Sequence, residues 1–324
     1  SVGASRQSKS VSEGFIGAAG TILTGSDHAA TTTIDEAVES ALAAKAIGNK
    51  VLGSFFSVSA ANIRYDSGSH VDVHSFAASV GASYGIDLNP GRVTLGLFLE
   101  FGYGDYDAYN SFPGVGVVLG SGHTSYVGGG LLARYDFAQS ASGNFYAELT
   151  ARFGQVQNDY SSDDLLPANQ RVTYDSATPY FGLHFGLGYK WNVSPAGVLH
   201  VYGKYLWNHI NGDDVILSSG DRVNFSAVNS HRLQVGVRYT HAVNEYFSPY
   251  VGVGFEYEFD GRAKATTFGL PIEAPSLRGA TGMGEIGFKF TPKPQSPFSV
   301  DFGVKGYVGK RRGVSGNIMI RIDF

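Results

Sequence analysis

With 324 residues the chain is long enough for one large domain or two ordinary ones. Its 24 basic and 28 acidic residues give a formal charge of −4, which offers no cationic footprint for nucleic acid. The 44 Gly, 19 Tyr and 22 Phe, with no Cys and two Met, favour β structure over helix and fit export through an oxidising compartment.

No run approaches the roughly 18 consecutive apolar residues of a spanning helix, and the start lacks a basic region followed by an apolar core. Neither a helical anchor nor a secretion signal is expected. A mean hydropathy of −0.05 leaves the membrane open, because a spanning strand faces lipid with only every second side chain.

Residues 1–50 read as helical. Ser10-x-x-Glu13 and Thr33-x-x-Glu36 match capping boxes. Val11, Phe15, Ala18, Ala19, Ile22 and Leu23, then Ile34, Ala37, Val38, Ala41 and Leu42, follow at three- and four-residue steps. The spacing predicts two helices, or one interrupted near Thr24 to Thr32.

From Val51 to the end the pattern is alternation. Val93, Leu95, Leu97, Leu99, Phe101 and Tyr103 share one parity, while Thr94, Gly96, Glu100, Gly102 and Gly104 take the other. The same rule holds around Phe145–Phe153, Phe181–Trp191, Leu233–Tyr239 and Val251–Phe259. Several runs approach the nine to eleven residues of a spanning strand, and aromatics gather at the ends of the apolar faces: Tyr103, Tyr135, Tyr189, Trp191, Trp207, Tyr257 and Phe259.

Turn signals divide this region into about twelve strands: 51–65, 69–87, 92–105, 123–137, 144–158, 172–192, 197–210, 224–242, 247–260, 279–291, 297–308 and 314–324. An even number suits a closed antiparallel transmembrane barrel, which leaves no edge unpaired in lipid. Short turns at Asn89-Pro90-Gly91 and Ser194-Pro195-Ala196 alternate with longer polar loops at 159–171, 211–223 and 261–278. The last strand carries Ile318, Ile320, Ile322 and the terminal Phe324 on one parity, as a barrel-closing strand would.

At this point the chain resembles the autotransporter β-domain family, the translocator of type V secretion. The resemblance rests on the Ser8–Gly14 opening, Ile63–Asp72, Tyr205-Leu206-Trp207 with Gly212-Asp213, Ser230–Arg238, Pro249–Phe259 and the terminal Phe324. It runs along essentially the whole chain. It implies a twelve-stranded barrel in the outer membrane of a Gram-negative bacterium, with residues 1–50 as pore plug and linker and 51–324 as the barrel. It implies further that an N-terminal passenger, outside this chain, is anchored and exported to the cell surface. Barrel-assembly machinery reading the terminal strand, periplasmic chaperones, outer-membrane lipid and a monomeric state belong to the same implication. One subgroup cleaves its passenger at adjacent Asn residues on the pore helix. Residues 1–50 hold only Asn49, so that chemistry is not expected.

The candidate site is the set of lumen-parity charges: Glu100, Arg134, Glu148, Arg152, Arg232, Arg238, Glu256, Glu258, Glu285, Lys289 and Arg321. They either line a wet pore and position the helix, or pair with one another across strands. Gly96, Gly128, Gly182, Gly186, Gly252 and Gly254 on that face leave room for an aromatic or for the helix, or ease curvature.

No enzyme is expected, nor any cofactor or metal. Asp163-Asp164 and Asp213-Asp214 with His209 fall in polar loops, and the nine His lack metal-ligand clustering of the His-Glu-x-x-His type. The rival readings are an outer-membrane barrel enzyme of the omptin or phospholipase kind, a diffusion porin and, last, a soluble sandwich.

Overall fold

The computed structural model describes residues 6–46, 52–114, 116–165, 171–292 and 298–322. Twelve long strands pair antiparallel in chain order until the last closes on the first. They are β1 (Gly53–Asp66), β2 (His70–Leu88), β3 (Gly91–Phe112), β4 (Gly116–Asp136), β5 (Gly143–Ser162), β6 (Val172–Ser194) and β7 (Gly197–Ile210). The others are β10 (Val228–His241), β11 (Phe247–Glu258), β14 (Gly279–Phe290), β15 (Phe298–Gly309) and β16 (Arg311–Ile322). Closure runs from the pair Phe55 and Arg321 to the pair Tyr65 and Arg311.

The alternation works inside out. Leu99 is 66% exposed while its neighbour Glu100 is 3% exposed, and Val253 is 67% exposed against 2% for Glu256. A soluble sandwich buries the apolar face instead, so this wall is built for hydrocarbon. Aromatics border the belt at both ends: Tyr135, Tyr189 and Trp191 near the short turns, and Phe101, Tyr103, Tyr257 and Phe259 near the long loops.

The barrel is taller on one side. Strands β2 to β6 have 19 to 23 residues, whereas β10, β11 and β14 to β16 have 12 to 14. The predicted ends at 105 and 123 therefore fall short, since β3 and β4 continue to Phe112 and from Gly116. The outward face turns polar there, with Asp105 and Asp107 exposed, while Tyr106, Ala108 and Asn110 keep the inward face buried. The apolar signal ends at the edge of the belt, and the strand does not.

Two of the predicted loops contain structure. The short strands β8 (Asp213–Ile216), β9 (Arg222–Phe225), β12 (Ala265–Thr267) and β13 (Leu270–Pro271) form a separate four-stranded sheet. Val215, Leu217, Val223, Phe225, Ala265, Ile272 and Leu277 are buried there, joining one cluster with Val11, Phe15 and Ile22. The strand predicted over 224–242 accordingly starts at Val228, because 224 and 225 belong to this small sheet.

The N-terminal segment is one continuous helical rod inside the barrel. It comprises α1 (Lys9–Asp27), a π-helical turn (His28–Thr33) and α2 (Ile34–Ala46). Every α1 residue from Lys9 to Ser26 is buried. The interruption expected near Thr24 to Thr32 is a widening of the helix rather than a break, a feature often found at functional sites.

The capping boxes are not formed. Ser10 and Glu13 lie inside α1 and bond to the wall instead of the helix end, and Thr33 donates to or accepts from Ser79 at 2.8 Å. A barrel wall offers these groups stronger partners than a frayed end does.

Candidate functional site: the helix-filled lumen

Polar contacts tie the rod to the wall at three levels. At the loop end, Lys9 faces Glu273 at 3.6 Å, Ser10 shares a 2.7 Å hydrogen bond with Tyr160, and Tyr174 donates to the Val11 carbonyl. Glu13 accepts from Ser67 at 2.9 Å and from Asn110. Phe15 stacks on Phe225 of the small sheet with centroids 4.2 Å apart, so that sheet roofs the rod.

Ser67 lies in the first loop, and Asn110 lies beyond the outward Asp105 and Asp107, so Glu13 sits outside the lipid belt. Burial pushes its carboxyl up from 4.5 to about 7, against the opposing hydrogen bonds from Ser67 and Asn110.

At mid-barrel, Asp27 lies 2.7 Å from both Arg232 and Arg311. Glu256 engages the same two arginines, at 3.3 Å and 2.9 Å. Glu100 and Arg152 pair at 3.0 Å, Tyr180 donates to Glu100, and Arg152 reaches the rod through Asn208, which donates to Ser26. His28, in the widened turn, sits against Ser57 at 2.9 Å and Ser79 at 3.2 Å.

At the turn end, Arg134 bridges Asp35 at 3.3 Å and Asp136 at 3.0 Å, with Glu148 at 3.7 Å. Lys204 donates to the Ala30 carbonyl and pairs with Glu148. Lys289 pairs with Glu39, Ser83 donates to the Ala37 carbonyl, and Arg92 donates to the Ala41 carbonyl.

Of the predicted charges, Arg134, Arg232 and Lys289 thus touch helix carboxylates directly. Glu100, Glu148, Arg152 and Glu256 act one step removed, by holding a group that reaches the rod. Arg238 instead pairs with Glu285 at 2.8 Å. Glu258 accepts from Ser230 and from the backbone at His231 and Asp260, at the barrel rim. Arg321 faces Phe55 across the closing register near the turn end. Ile318 and Ile320 take the outward parity, whereas the side chain of Ile322 and the whole of Phe324 lie outside the described residues.

Helix glycines admit wall aromatics. A Cβ at Gly17 would collide with the Tyr106 ring, and one at Gly25 with the Tyr126 hydroxyl. The lumen-parity glycines mostly make room for wall neighbours: Gly96 for Leu132, Gly128 for Tyr180, Gly186 for Glu148 and Gly252 for Glu285. A cavity of about 60 Å³ remains between rod and wall near His28, Asp35, Arg238 and Lys305, which is room for waters and not for a solute.

The paired loop acids do not converge. Asp163 bonds to Arg171, Asp164 accepts from the Leu119 amide, Asp214 accepts from Asn224, and His209 lies between Asn211 and Asn229. Among the described residues, no group of three or more His, Asp or Glu is placed to hold a metal.

Sequence reasoning missed the partners on the rod. Asp27, Asp35 and Glu39 supply the carboxylates, and between Asp27 and Glu39 there is no Lys or Arg. That one-sign run was a usable signal, set against wall strands rich in inward arginine and lysine. Arg311 lies outside the last strand that the alternation predicts, 314–324, and at the start of the observed one.

A sequence model of the autotransporter β-domain family matches residues 78–304. Among solved structures, the chain is similar to the β-domain of the Bordetella autotransporter BrkA, at 17% identity over 85% of this chain and 100% of that one, with a TM-score of 0.64. It is similar to the transport unit of AIDA-I from Escherichia coli at 16% identity over 84% and 90%, with a TM-score of 0.62. It is also similar to the translocator domain of NalP from Neisseria meningitidis at 14% identity over 91% and 98%, with a TM-score of 0.63. No curated protein matches the chain.

Proposed function

The chain belongs to the autotransporter β-domain family and is an outer-membrane translocator domain, and we propose that residues 1–50 are its plug and linker while 51–324 form the conduit. In this reading the loop end faces the outside of a Gram-negative cell and the turn end faces the periplasm. An upstream passenger is exported and stays tethered to the rod. Barrel-assembly machinery, aided by periplasmic chaperones, reads the terminal strand through Ile318, Ile320, Ile322 and Phe324.

The observation that carries the reading is a rod whose α1 half is buried throughout, inside a barrel whose outer wall is apolar. Arg134, Arg232, Lys289 and Arg311 hold its carboxylates, and Glu148 and Glu256 brace Arg134 and Arg232. The domain performs no bond chemistry of its own in this scheme, a view supported by the dispersal of the loop acids. A porin needs an open lumen, and this one leaves room for little more than water at mid-barrel.

The test combines three measurements on purified protein. Heat-modifiable migration in detergent, protease protection of residues 1–50 and a small single-channel conductance are expected together. A monodisperse protein in plain buffer, or a large steady conductance with the rod still protected, overturns it.

A further inference from the structure

The rim above the lipid belt is charged asymmetrically. On the tall side, Asp105, Asp107, Asp159 and Asp175 point outward. On the short side three cations, Arg64, Lys310 and Arg312, gather with only two carboxylates among the described residues, Asp66 and Asp72. Arg64 of β1 and Arg312 of β16 are direct cross-strand partners, an arrangement that like charges disfavour unless an anion joins them. Asp72 engages Arg64 at 2.6 and 2.7 Å. Arg312 is exposed and has no carboxylate at ion-pair distance among the described residues. Lys310, at the tight turn beside it, stands 3.9 Å from Asp66.

Their height matters. Arg312 follows the outward column Ile320, Ile318, Gly316 and Val314. Eight residues at about 3.3 Å each, on a strand tilted by about 40°, lift it roughly 20 Å above Ile320, close to the edge of an apolar band about 25 Å tall. Val314, one step down that column, faces Gly306 of β15, where the wall carries no side chain. Gly284 faces Gly306 across β14 and β15 on the outward parity, and a Cβ at either would meet nothing within 4 Å.

We propose that Arg64, Arg312 and Lys310 bind a phosphate of an outer-leaflet glycolipid headgroup, whose acyl chain lies over the two glycines below. The Arg312 fork matches phosphate oxygens bidentately, while Asp72 holds Nε and Nη2 of Arg64 and leaves its remaining nitrogen for an anion that relieves the repulsion between the two arginines. The site rests on the outer-membrane placement and goes beyond it, because it assigns one face of the barrel to a phosphorylated lipid.

The full chain in phosphatidylcholine nanodiscs is titrated with bisphosphorylated lipid A and with the same lipid after removal of both phosphates, read by native mass spectrometry. The phosphorylated form is expected to bind at least about tenfold more tightly, and the Arg64→Gln/Arg312→Gln variant to lose about tenfold. Arg171→Gln/Arg222→Gln, the same charge loss elsewhere on the loop end, should leave affinity unchanged, and millimolar inorganic phosphate should not displace the lipid. Equal binding of the two lipids, an unchanged first variant, an equal loss in the second or displacement by free phosphate overturns the site. Heat-modifiable migration checks that each variant is folded, with Arg312→Gln alone as the milder change. Loss of that migration in the unaltered protein would count against the translocator reading instead.

Discussion

Asp27 on the rod and Arg232 on β10 meet at 2.7 Å across 205 residues of sequence, and Arg311 of β16 closes on the same carboxylate at the same distance. Two wall cations therefore balance one helix carboxylate and Glu256 in a water-poor interior. Removing one member of a buried ionic group leaves charge uncompensated, at a cost of about 3–5 kcal/mol. Asp27→Ala should fall near the lower bound, because Glu256 still neutralises one arginine. Denaturant unfolding in detergent gives the cost, and planar-bilayer recording should show larger or noisier conductance. An unchanged midpoint and unchanged conductance together would remove Asp27 from the holding set.

The direct and indirect wall charges should separate. Arg134→Ala and Lys289→Ala strip the partners from Asp35 and Glu39. Both should raise single-channel conductance and expose residues 1–50 to protease. Glu258→Ala breaks only rim contacts and should do neither. A rise of similar size in all three variants would mean that lumen charge, and not contact with the rod, sets the conductance.

The barrel was legible because hydrocarbon imposes a strict period of two from Gly53 onward, and twelve strands were found where twelve stand. The boundaries failed where lipid stops acting. Between Asp105 and Phe112 the outward side chains meet water, so the alternation thins while the hydrogen-bond ladder continues. The small sheet was hidden because strands of two to four residues carry no period. On the rod, Ser10 and Glu13 imitated a capping box, and only the wall around them reveals Tyr160, Ser67 and Asn110 as the partners.

Glu13 predicts a pH dependence at the loop end. Its carboxyl is raised from 4.5 to about 7 when the rod is docked. Below 4.5 the group is protonated docked or free, and its contribution is fully present. As pH rises to about 7 the free form releases its proton while the docked form retains it, so the contribution is lost through that window. The midpoint of thermal unfolding should therefore fall between pH 4.5 and 7 and then level off, and Glu13→Gln should flatten this part of the profile. A midpoint that climbs over the same window in the unaltered protein would reverse the sign and reject the assignment.

Gly17 sets helix propensity against packing. In an isolated helix, Gly→Ala stabilises by about 1 kcal/mol. Here the added carbon meets the Tyr106 ring, and overpacking of this kind costs about 1–3 kcal/mol. The clash should win because the ring is clamped: Tyr106 is 2% exposed and its hydroxyl is bonded to the Asp159 carbonyl. Gly17→Ala should thus lower the unfolding midpoint, and the same change in a Tyr106→Val background should be neutral or stabilising. If Gly17→Ala stabilises the unaltered barrel, the rod does not rest against Tyr106 at this distance, and the glycine is there for some reason other than close approach.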